Sequence, residues 1–334
     1  MLQLILWSII SKLFVLEGFI LLRNPLSEWL AASISVFLLI FSDLGLIYLH
    51  RSRFSFSQAD SKPLSKNIDT EHILQELDMA KKVQEGLLSL ENPHIPGIQI
   101  AKRCQPASSV GGDFYTFIDQ TQQQFTQETE DASGILKFVD SRETYLGITI
   151  GDVAGHGVSS ALVMALSAGL LDEIGKSYQS PAKVLYQANN DLLKYIENSE
   201  IAYVTVFYGI IQVASKKFVF TRAGHPPAIL YRNNTLTELE TDDVFLGMYA
   251  DEQYSESDVQ LQTGDRLIFY TDGMTEAKNS QGEALGKASF FEILNRNGYQ
   301  TIDNFINAIF TEVDIFSKSV PVHDDRTMVI VEIN

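Results

Sequence analysis

Two long apolar stretches set the start of this sequence apart from the rest. Residues 1–22 and 26–49 are almost continuously hydrophobic, and each has about the length, roughly 20 residues, that a helix needs to cross a bilayer. Arg51 and Arg53 follow and place the C-terminal side in the cytoplasm by the positive-inside rule. The pattern predicts a transmembrane hairpin over residues 1–50 in the cytoplasmic membrane. The alternative is a buried or interfacial hairpin.

A polar segment and then a helical pattern follow the hairpin. Asp69 or Thr70 can cap this helix, and its apolar positions follow a heptad seam in which Gln84 takes the one polar slot. The seam consists of Ile73, Leu77, Ala80 and Leu87. We interpret residues 51–94 as a linker with an amphipathic helix, which either pairs with a second copy of the chain or packs on its own domain.

From residue 95 onward, short alternating runs predict strands between amphipathic helices. The runs 203–213 and 217–223 are joined by a short polar turn, which favours antiparallel pairing. The polar stretch 119–144 predicts a long exposed hairpin or insertion. The pattern indicates one α+β domain over residues 95–334, with helices outside its sheets. Strands are predicted at 98–104, 114–118, 145–152, 203–213, 217–223, 228–231, 266–271 and 327–333, and helices at 158–177, 181–197, 287–295 and 302–317.

Composition narrows the range of partners. Hydrophobic residues make up 45% of the 334 residues, and the formal charge is −17. From residue 95 onward there are 32 Asp and Glu against 17 Lys and Arg. This acidic surface repels nucleic acid and anionic lipid headgroups, so we expect no nucleic acid partner. Cys104 is the single cysteine, which excludes an internal disulfide and the usual zinc patterns and fits a reducing compartment.

Aspartates recur where apolar runs meet glycine-marked turns. A short carboxylate at each such end can point to a common edge, and several carboxylates brought together need cations between them. Oxygen-only ligation of this kind suits Mg²⁺ or Mn²⁺. Each aspartate taken alone is more typical of an ordinary turn than of a metal ligand. The set consists of Asp113 after Gly111 and Gly112, Asp152 after Gly151, Asp272 before Gly273, and Asp324 with Asp325 before the last strand.

The loop after Asp152 has the glycine content of a phosphate-binding loop but not its pattern. It reads GDVAGHG, without the lysine of a Walker loop and without the GxGxxG spacing of dinucleotide sites. We therefore interpret Gly155 and Gly157 as residues of a sharp turn. His156 is a candidate base or ligand, although a lone histidine in such a turn is more typical of a capping or surface residue.

Six motifs in order resemble the SpoIIE/RsbU-like bacterial branch of the PPM (protein phosphatase 2C-like) metal-dependent serine/threonine phosphatases. They read PASSVGGDFYTF, LGITIGDVAGHGVSSALVMA, YVTVFYGII, FTRAGHPPAIL, LIFYTDGMTEA and HDDRTMVIV. The resemblance covers residues 95–334. It implies two antiparallel sheets sandwiched between helices, with two Mn²⁺ or Mg²⁺ ions at one edge and hydrolysis by a metal-activated water.

The resemblance also implies roles for individual residues. Asp113, Asp152, Asp272 and Asp324 match the metal-ligand positions, with Asp152 bridging the two ions. The backbone carbonyl of Val153 is a further expected ligand. Asp325 and Gly273 are expected to support these ligands from behind. The phosphate-binding arginine of eukaryotic relatives has no matched counterpart in these motifs; Arg103, before the GGDF motif, is the nearest candidate in the sequence.

The expected function is a membrane-anchored phosphatase that acts on phosphoserine or phosphothreonine. The resemblance implies a partner-switching pathway, with a STAS-type anti-sigma-factor antagonist as substrate. The alternatives are a catalytically silent partner-binding module and a metal-dependent hydrolase of small phosphate esters. We also expect the linker helix, residues 71–90, to communicate with the helix that follows the GDVAGHG turn.

Overall fold

The alternating runs after residue 95 form two stacked antiparallel sheets in the computed structural model of this chain. The structure describes residues 65–88, 91–120, 126–130, 136–140, 144–197, 203–318 and 320–334. The predicted transmembrane hairpin and the first part of the linker lie outside the described residues.

The strands and helices are numbered here in chain order. The strands are β1 Ile98–Gln105, β2 Phe114–Asp119, β3 Thr126–Glu130, β4 Leu136–Asp140, β5 Tyr145–Val153, β6 Val204–Gln212, β7 Lys217–Ala223, β8 Ala228–Arg232, β9 Thr235–Leu239, β10 Ser257–Gln260, β11 Arg266–Tyr270 and β12 Arg326–Ile333. The helices are α1 Ser65–Leu88, α2 Val158–Gly175, α3 Pro181–Ile196, α4 Gly286–Asn297 and α5 Ile302–Phe316.

The two main sheets have five strands each. The first sheet has the order β1-β12-β11-β8-β9, and the second has the order β10-β7-β6-β5-β2. All of their pairings are antiparallel, as the short turn between β6 and β7 predicted. β3 and β4 pair only with each other, so the polar stretch 119–144 contains the predicted hairpin. β9 and β10 were not predicted.

Three apolar layers hold the sheets and helices together. Between the sheets, Phe207 of the second sheet meets Phe269 of the first edge-on, with ring centroids 5.4 Å apart. The outer face of the first sheet packs against α4 and α5, and that of the second against α2 and α3. Each sheet is thus apolar on both faces. The architecture is the predicted sandwich of two sheets between helices.

The turn from β5 into α2 has the sharp geometry that its glycines predicted. Gly155 and Gly157 have φ values of +104° and +83°, a region that favours glycine. By length and mean hydropathy, 1.4, α2 also meets the minimum for a membrane span. Its Met164 and Leu171 are buried, however, and the helix packs on β2 and β5. α2 is therefore a layer of this domain.

Over residues 72–88, the linker helix α1 is mostly exposed. It begins at Ser65, before the predicted caps, and ends at Leu88. The side chain of Gln84 is buried, and Leu88 packs against the apolar clusters on both faces of the second sheet. The helix contacts its own domain through its last turn, while much of its apolar surface is exposed, including Ile73, Leu74, Met79, Val83 and Leu87.

Candidate active site

Strand register brings the first two predicted aspartates together. Phe114 of β2 pairs with Gly151 of β5, so Asp113 and Asp152, the next residues outward, are neighbours at the same end of the second sheet. The backbone N–H of Val153 donates to the carbonyl of Gly112, with a distance of 3.3 Å. A Cβ at Gly112 would lie 2.9 Å from the Val153 carbonyl oxygen, so glycine permits this close approach.

The other aspartates come from the first sheet. β11 pairs with β12, and the N–H of Thr271 donates to the carbonyl of Thr327, 3.0 Å away. Asp272, in a 3₁₀ turn just after β11, therefore lies at the same end as Asp324 and Asp325, just before β12. At Gly273, a Cβ would overlap the carbonyl oxygen of Asp325. Glycine at position 273 therefore permits the close approach of the Asp325 backbone.

Asp325 is a clamp on the loop that carries Asp113. Its buried carboxylate accepts hydrogen bonds from the N–H groups of Ala107 (2.7 Å) and Gly112 (2.6 Å), and a longer one from that of Asp113 (3.4 Å). Carboxylates that accept several backbone hydrogen bonds order the loops that donate them. Asp325 therefore connects the end of the first sheet to the loop that carries Asp113.

Thr271 is a supporting residue that the sequence analysis missed. Its hydroxyl donates to Asp113 Oδ2 at 2.8 Å and accepts from the N–H of Thr327 at 3.0 Å. It is fully buried, so it fixes the orientation of the Asp113 carboxylate across the sandwich. Its place directly before the TDG aspartate was a signal that could have identified it.

The electrostatics show that these carboxylates share one region. Burial, together with the negative charges of Asp272, Asp324 and Asp325, raises the pKa of Asp152 to about 8. Burial, with Asp324 and Glu276, raises the pKa of Asp272 to about 6. Burial also raises the pKa of Asp113, to which Asp152 and Asp325 contribute. Each negative charge opposes the ionisation of the others.

Little positive charge balances this cluster. In the described part of the chain, no lysine or arginine forms an ion pair with any of the five aspartates. The donors present, carboxylates with the carbonyl of Val153 nearby, are the type that Mg²⁺ and Mn²⁺ prefer. Among the described residues, no group of three or more His, Cys, Asp or Glu side chains is arranged so that it could hold a metal ion as it stands. The aspartates and the Val153 carbonyl therefore fit Mg²⁺ or Mn²⁺ in the type of their donor atoms and in their location at one end of the sandwich.

Two predicted candidates lie away from the cluster. Arg103 donates to Asn307 Oδ1 at 3.2 Å, and its guanidinium lies 4.4 Å from the ring centroid of Phe310. Both partners belong to α5, on the outer face of the first sheet. Residues alternate faces along β1, so the Arg103 side chain points away from the aspartates. His156 is exposed in the turn, which agrees with its interpretation as a turn residue.

Gln84 connects the linker helix directly to the Asp113 loop. Its Nε2 donates to the carbonyl of Gly111 at 2.7 Å, and its Oε1 accepts from the N–H of the same residue at 3.0 Å. At the end of the helix, the Tyr115 hydroxyl donates to the carbonyl of Leu88 at 2.6 Å. Gln84, the one polar residue of the heptad seam, therefore marks the position where the linker helix contacts the Asp113 loop.

The fold is that of the PP2C phosphatases, the PPM class. The SiaA-PP2C domain of Pseudomonas aeruginosa superimposes with a TM-score of 0.63, at 19% identity, over 80% of this chain and 99% of that domain. In this chain, the fold places the cluster of aspartates at one end of the sandwich.

Sequence comparison gives the family. The model of the family described as Stage II sporulation protein E (SpoIIE) matches residues 142–334. Phosphoserine phosphatase RsbU of Bacillus subtilis is 24% identical over 262 residues, which are 78% of this chain and 70% of RsbU. Phosphoserine phosphatase RsbP of the same organism is 26% identical over 264 residues, 78% of this chain but 58% of RsbP. The chain belongs to the SpoIIE family and is a serine/threonine protein phosphatase.

Proposed function

We propose that this protein is a metal-dependent phosphatase that hydrolyses phosphoserine or phosphothreonine on a STAS-type anti-sigma-factor antagonist in a partner-switching pathway. The observation that carries the proposal is the convergence of Asp113, Asp152, Asp272 and Asp324 at one end of the sandwich, with their pKa values raised by burial and mutual repulsion. A protein surface without a catalytic role has no need of such a costly cluster.

These four side chains and the Val153 carbonyl are the proposed ligands of two Mn²⁺ or Mg²⁺ ions. When bound, the ions supply activation of a water molecule and charge balance for the phosphoryl oxygens. Asp152 is the proposed bridging ligand, because its charge interacts with those of Asp113, Asp272 and Asp324. Asp325 and Thr271 orient Asp113, so that it contributes its charge at a fixed place.

The substrate class is inferred from the relatives. RsbU and RsbP are named as phosphoserine phosphatases, and the motifs of this chain resemble their branch of the class. The acidic domain surface, with 32 acidic and 17 basic residues from residue 95 onward, favours a protein substrate that brings complementary positive charge to the site.

A phosphoprotein assay tests the proposal. The full-length chain is incubated with Mn²⁺ and either a phosphoserine-bearing STAS-domain protein or p-nitrophenyl phosphate. Asp152→Asn is expected to lower kcat/KM by more than about 100-fold. Asp258→Asn is the matched control, since Asp258 is an exposed carboxylate in a surface ion pair with Lys217, and it is expected to retain wild-type activity.

The outcomes separate the alternatives. Activity that requires Mn²⁺ and prefers the phosphoprotein supports the proposal. Preference for p-nitrophenyl phosphate identifies a small-ester hydrolase instead. A wild-type protein that binds the STAS partner without releasing phosphate is a silent binding module.

The proposal includes membrane anchoring through residues 1–50 and dimerisation through α1. The two apolar stretches support the anchor, with the catalytic domain in the cytoplasm. The exposed apolar residues of α1, of which Ile73 is 56%, Val83 66% and Leu87 44% exposed, support pairing with a second copy. Alkaline extraction of membranes tests the anchor, because a spanning chain stays in the pellet. Chemical crosslinking of wild type and of a Val83→Glu variant tests the pairing, which the introduced charge is expected to abolish.

A further inference from the structure

His225 lies where the chain passes from one sheet to the other. It comes from the FTRAGHPPAIL motif, in the short segment between β7 of the second sheet and β8 of the first. The residue is 1% exposed. A buried histidine away from the aspartates needs a structural or functional reason, because burying a polar ring without partners is costly.

A hydrogen-bonded chain connects His225 to Asp152. The Nδ1 atom lies 2.9 Å from the Thr205 hydroxyl, and this hydroxyl donates to the backbone carbonyl of Asp152 at 3.3 Å. Thr205 pairs with Asp152 in the register of β5 and β6. In the tautomer with the proton on Nδ1, the Thr205 hydroxyl accepts from the ring and its own hydrogen is directed to the Asp152 carbonyl.

The ring itself is neutral and firmly held. Burial lowers the pKa of His225 to about 3, although a backbone hydrogen bond with Tyr270 acts in the opposite direction, so the ring is neutral and has a single N–H. By hydrogen-bond geometry, Nε2 has no partner among the described residues. The backbone is clamped as well, since Arg222 donates to the carbonyl of His225 and to that of Thr241, both at 2.9 Å.

The chain of hydrogen bonds ends at the peptide group between Asp152, the proposed bridging ligand, and Val153. The N–H of that peptide, from Val153, donates to Gly112, and its carbonyl, from Asp152, accepts from Thr205. The next N–H, from Ala154, donates to the carbonyl of Tyr203 at 3.1 Å. With both sides of the peptide fixed, the directions of the Asp152 side chain and of the Val153 carbonyl are fixed too.

We propose that His225 and Thr205 are positioning residues that orient Asp152 and the Val153 carbonyl for metal binding. His225 donates to Thr205, and Thr205 donates to the Asp152 carbonyl. Outer contacts of this kind around metal ligands affect metal affinity about 10–100-fold. The inference rests on the proposed metal-dependent function and adds two residues that do not contact the ions.

The test is the Mn²⁺ affinity of the full-length protein, measured by isothermal titration calorimetry. Thr205→Val removes the hydroxyl at nearly constant shape and is expected to raise the Kd at least about 10-fold, while Thr205→Ser keeps the hydroxyl and stays within about threefold of wild type. His225→Leu is expected to match Thr205→Val, and His225→Asn, whose amide N–H can replace that of Nδ1, retains most of the affinity. Phosphatase kinetics at saturating Mn²⁺ are measured in parallel and are expected to show a much smaller loss of kcat.

A double-variant comparison separates positioning from general loss of packing. If the two residues act in one chain, Thr205→Val combined with His225→Leu raises the Kd no more than about threefold beyond either change alone. Folded variants that bind Mn²⁺ like wild type, or two effects that multiply fully, would overturn the proposal. If His225→Leu does not fold, the Thr205 pair decides alone. An active wild type with unaffected variants refutes only the positioning, whereas a wild type with neither Mn²⁺ binding nor activity refutes the proposed function.

Discussion

Removing the Asp325 carboxylate tests the clamp on the Asp113 loop. Asp325→Ala deletes acceptors for two short hydrogen bonds, from Ala107 and Gly112, and for the longer one from Asp113. Hydrogen bonds to charged groups contribute about 1.5–3 kcal/mol each, so the two short bonds account for about 3–6 kcal/mol. The deletion also relieves repulsion with Asp113 and Asp152, which returns about 1–2 kcal/mol. The expected net loss of unfolding free energy is about 2–4 kcal/mol.

Urea unfolding followed by circular dichroism measures this loss. With an m value of about 3 kcal/mol per molar urea, the midpoint is expected to fall by about 1 M. Asp325→Asn keeps one acceptor oxygen and is expected to lose less. Asp258→Ala is the control, since the exposed pair of Asp258 with Lys217 contributes at most about 1 kcal/mol. Equal midpoints for Asp325→Ala and Asp258→Ala would refute the clamp.

Three further predictions follow from other contacts. Gln84→Ala leaves both backbone groups of Gly111 without partners and is expected to lower the unfolding free energy by about 1–3 kcal/mol, measured by urea unfolding; an unchanged midpoint would contradict the contact. Burial lowers the pKa of His225 from 6.5 to about 3. Between these two pH values the unfolded chain carries a proton on His225 that the native chain lacks, so the free energy of unfolding rises with pH in this range. His225→Asn is expected to reduce this slope by up to about 1.4 kcal/mol per pH unit; parallel curves would count against it. Arg103→Ala is expected to leave KM for the phosphoprotein within about twofold of wild type, because Arg103 contacts α5; a large rise in KM would restore it as a phosphate ligand.

The strands that the sequence predicted correctly are those with at least one face fully buried. β5 and β6 were visible because their apolar runs are long and are bounded by glycine or polar turns. β9 and β10 were missed because they are short, largely exposed edge strands. Such strands are held by backbone pairing with β8 and β7, and side-chain periodicity carries little of that information.

The sequence identified the aspartates that the structure brings together, and it identified Asp325 and Gly273 as candidate supports, but it did not identify Thr271 or His225. Glycine beside aspartate at strand ends identified Asp113, Asp152 and Asp272. Thr271 and His225 were not identified, because their importance depends on partners that are distant in sequence: Thr271 contacts a carboxylate 158 residues away. The sequence does not distinguish a threonine hydroxyl that is buried against a carboxylate from one that lies in an exposed turn.

The sequence alone determined an α+β domain of antiparallel strands, its acidic composition and the aspartates placed at strand ends, because these depend on local periodicity and on composition. The arrangement in two sheets was implied by the resemblance of its motifs to the phosphatase family. Only the tertiary structure decided which end of the sandwich brings the aspartates together, that Arg103 faces α5, and that Gln84 of the linker helix contacts the Asp113 loop. The physical reason is that strand register and sheet stacking fix side-chain direction in three dimensions. A residue's partner across a sheet is set by that packing, whereas its place in a strand is set by its neighbours in the chain.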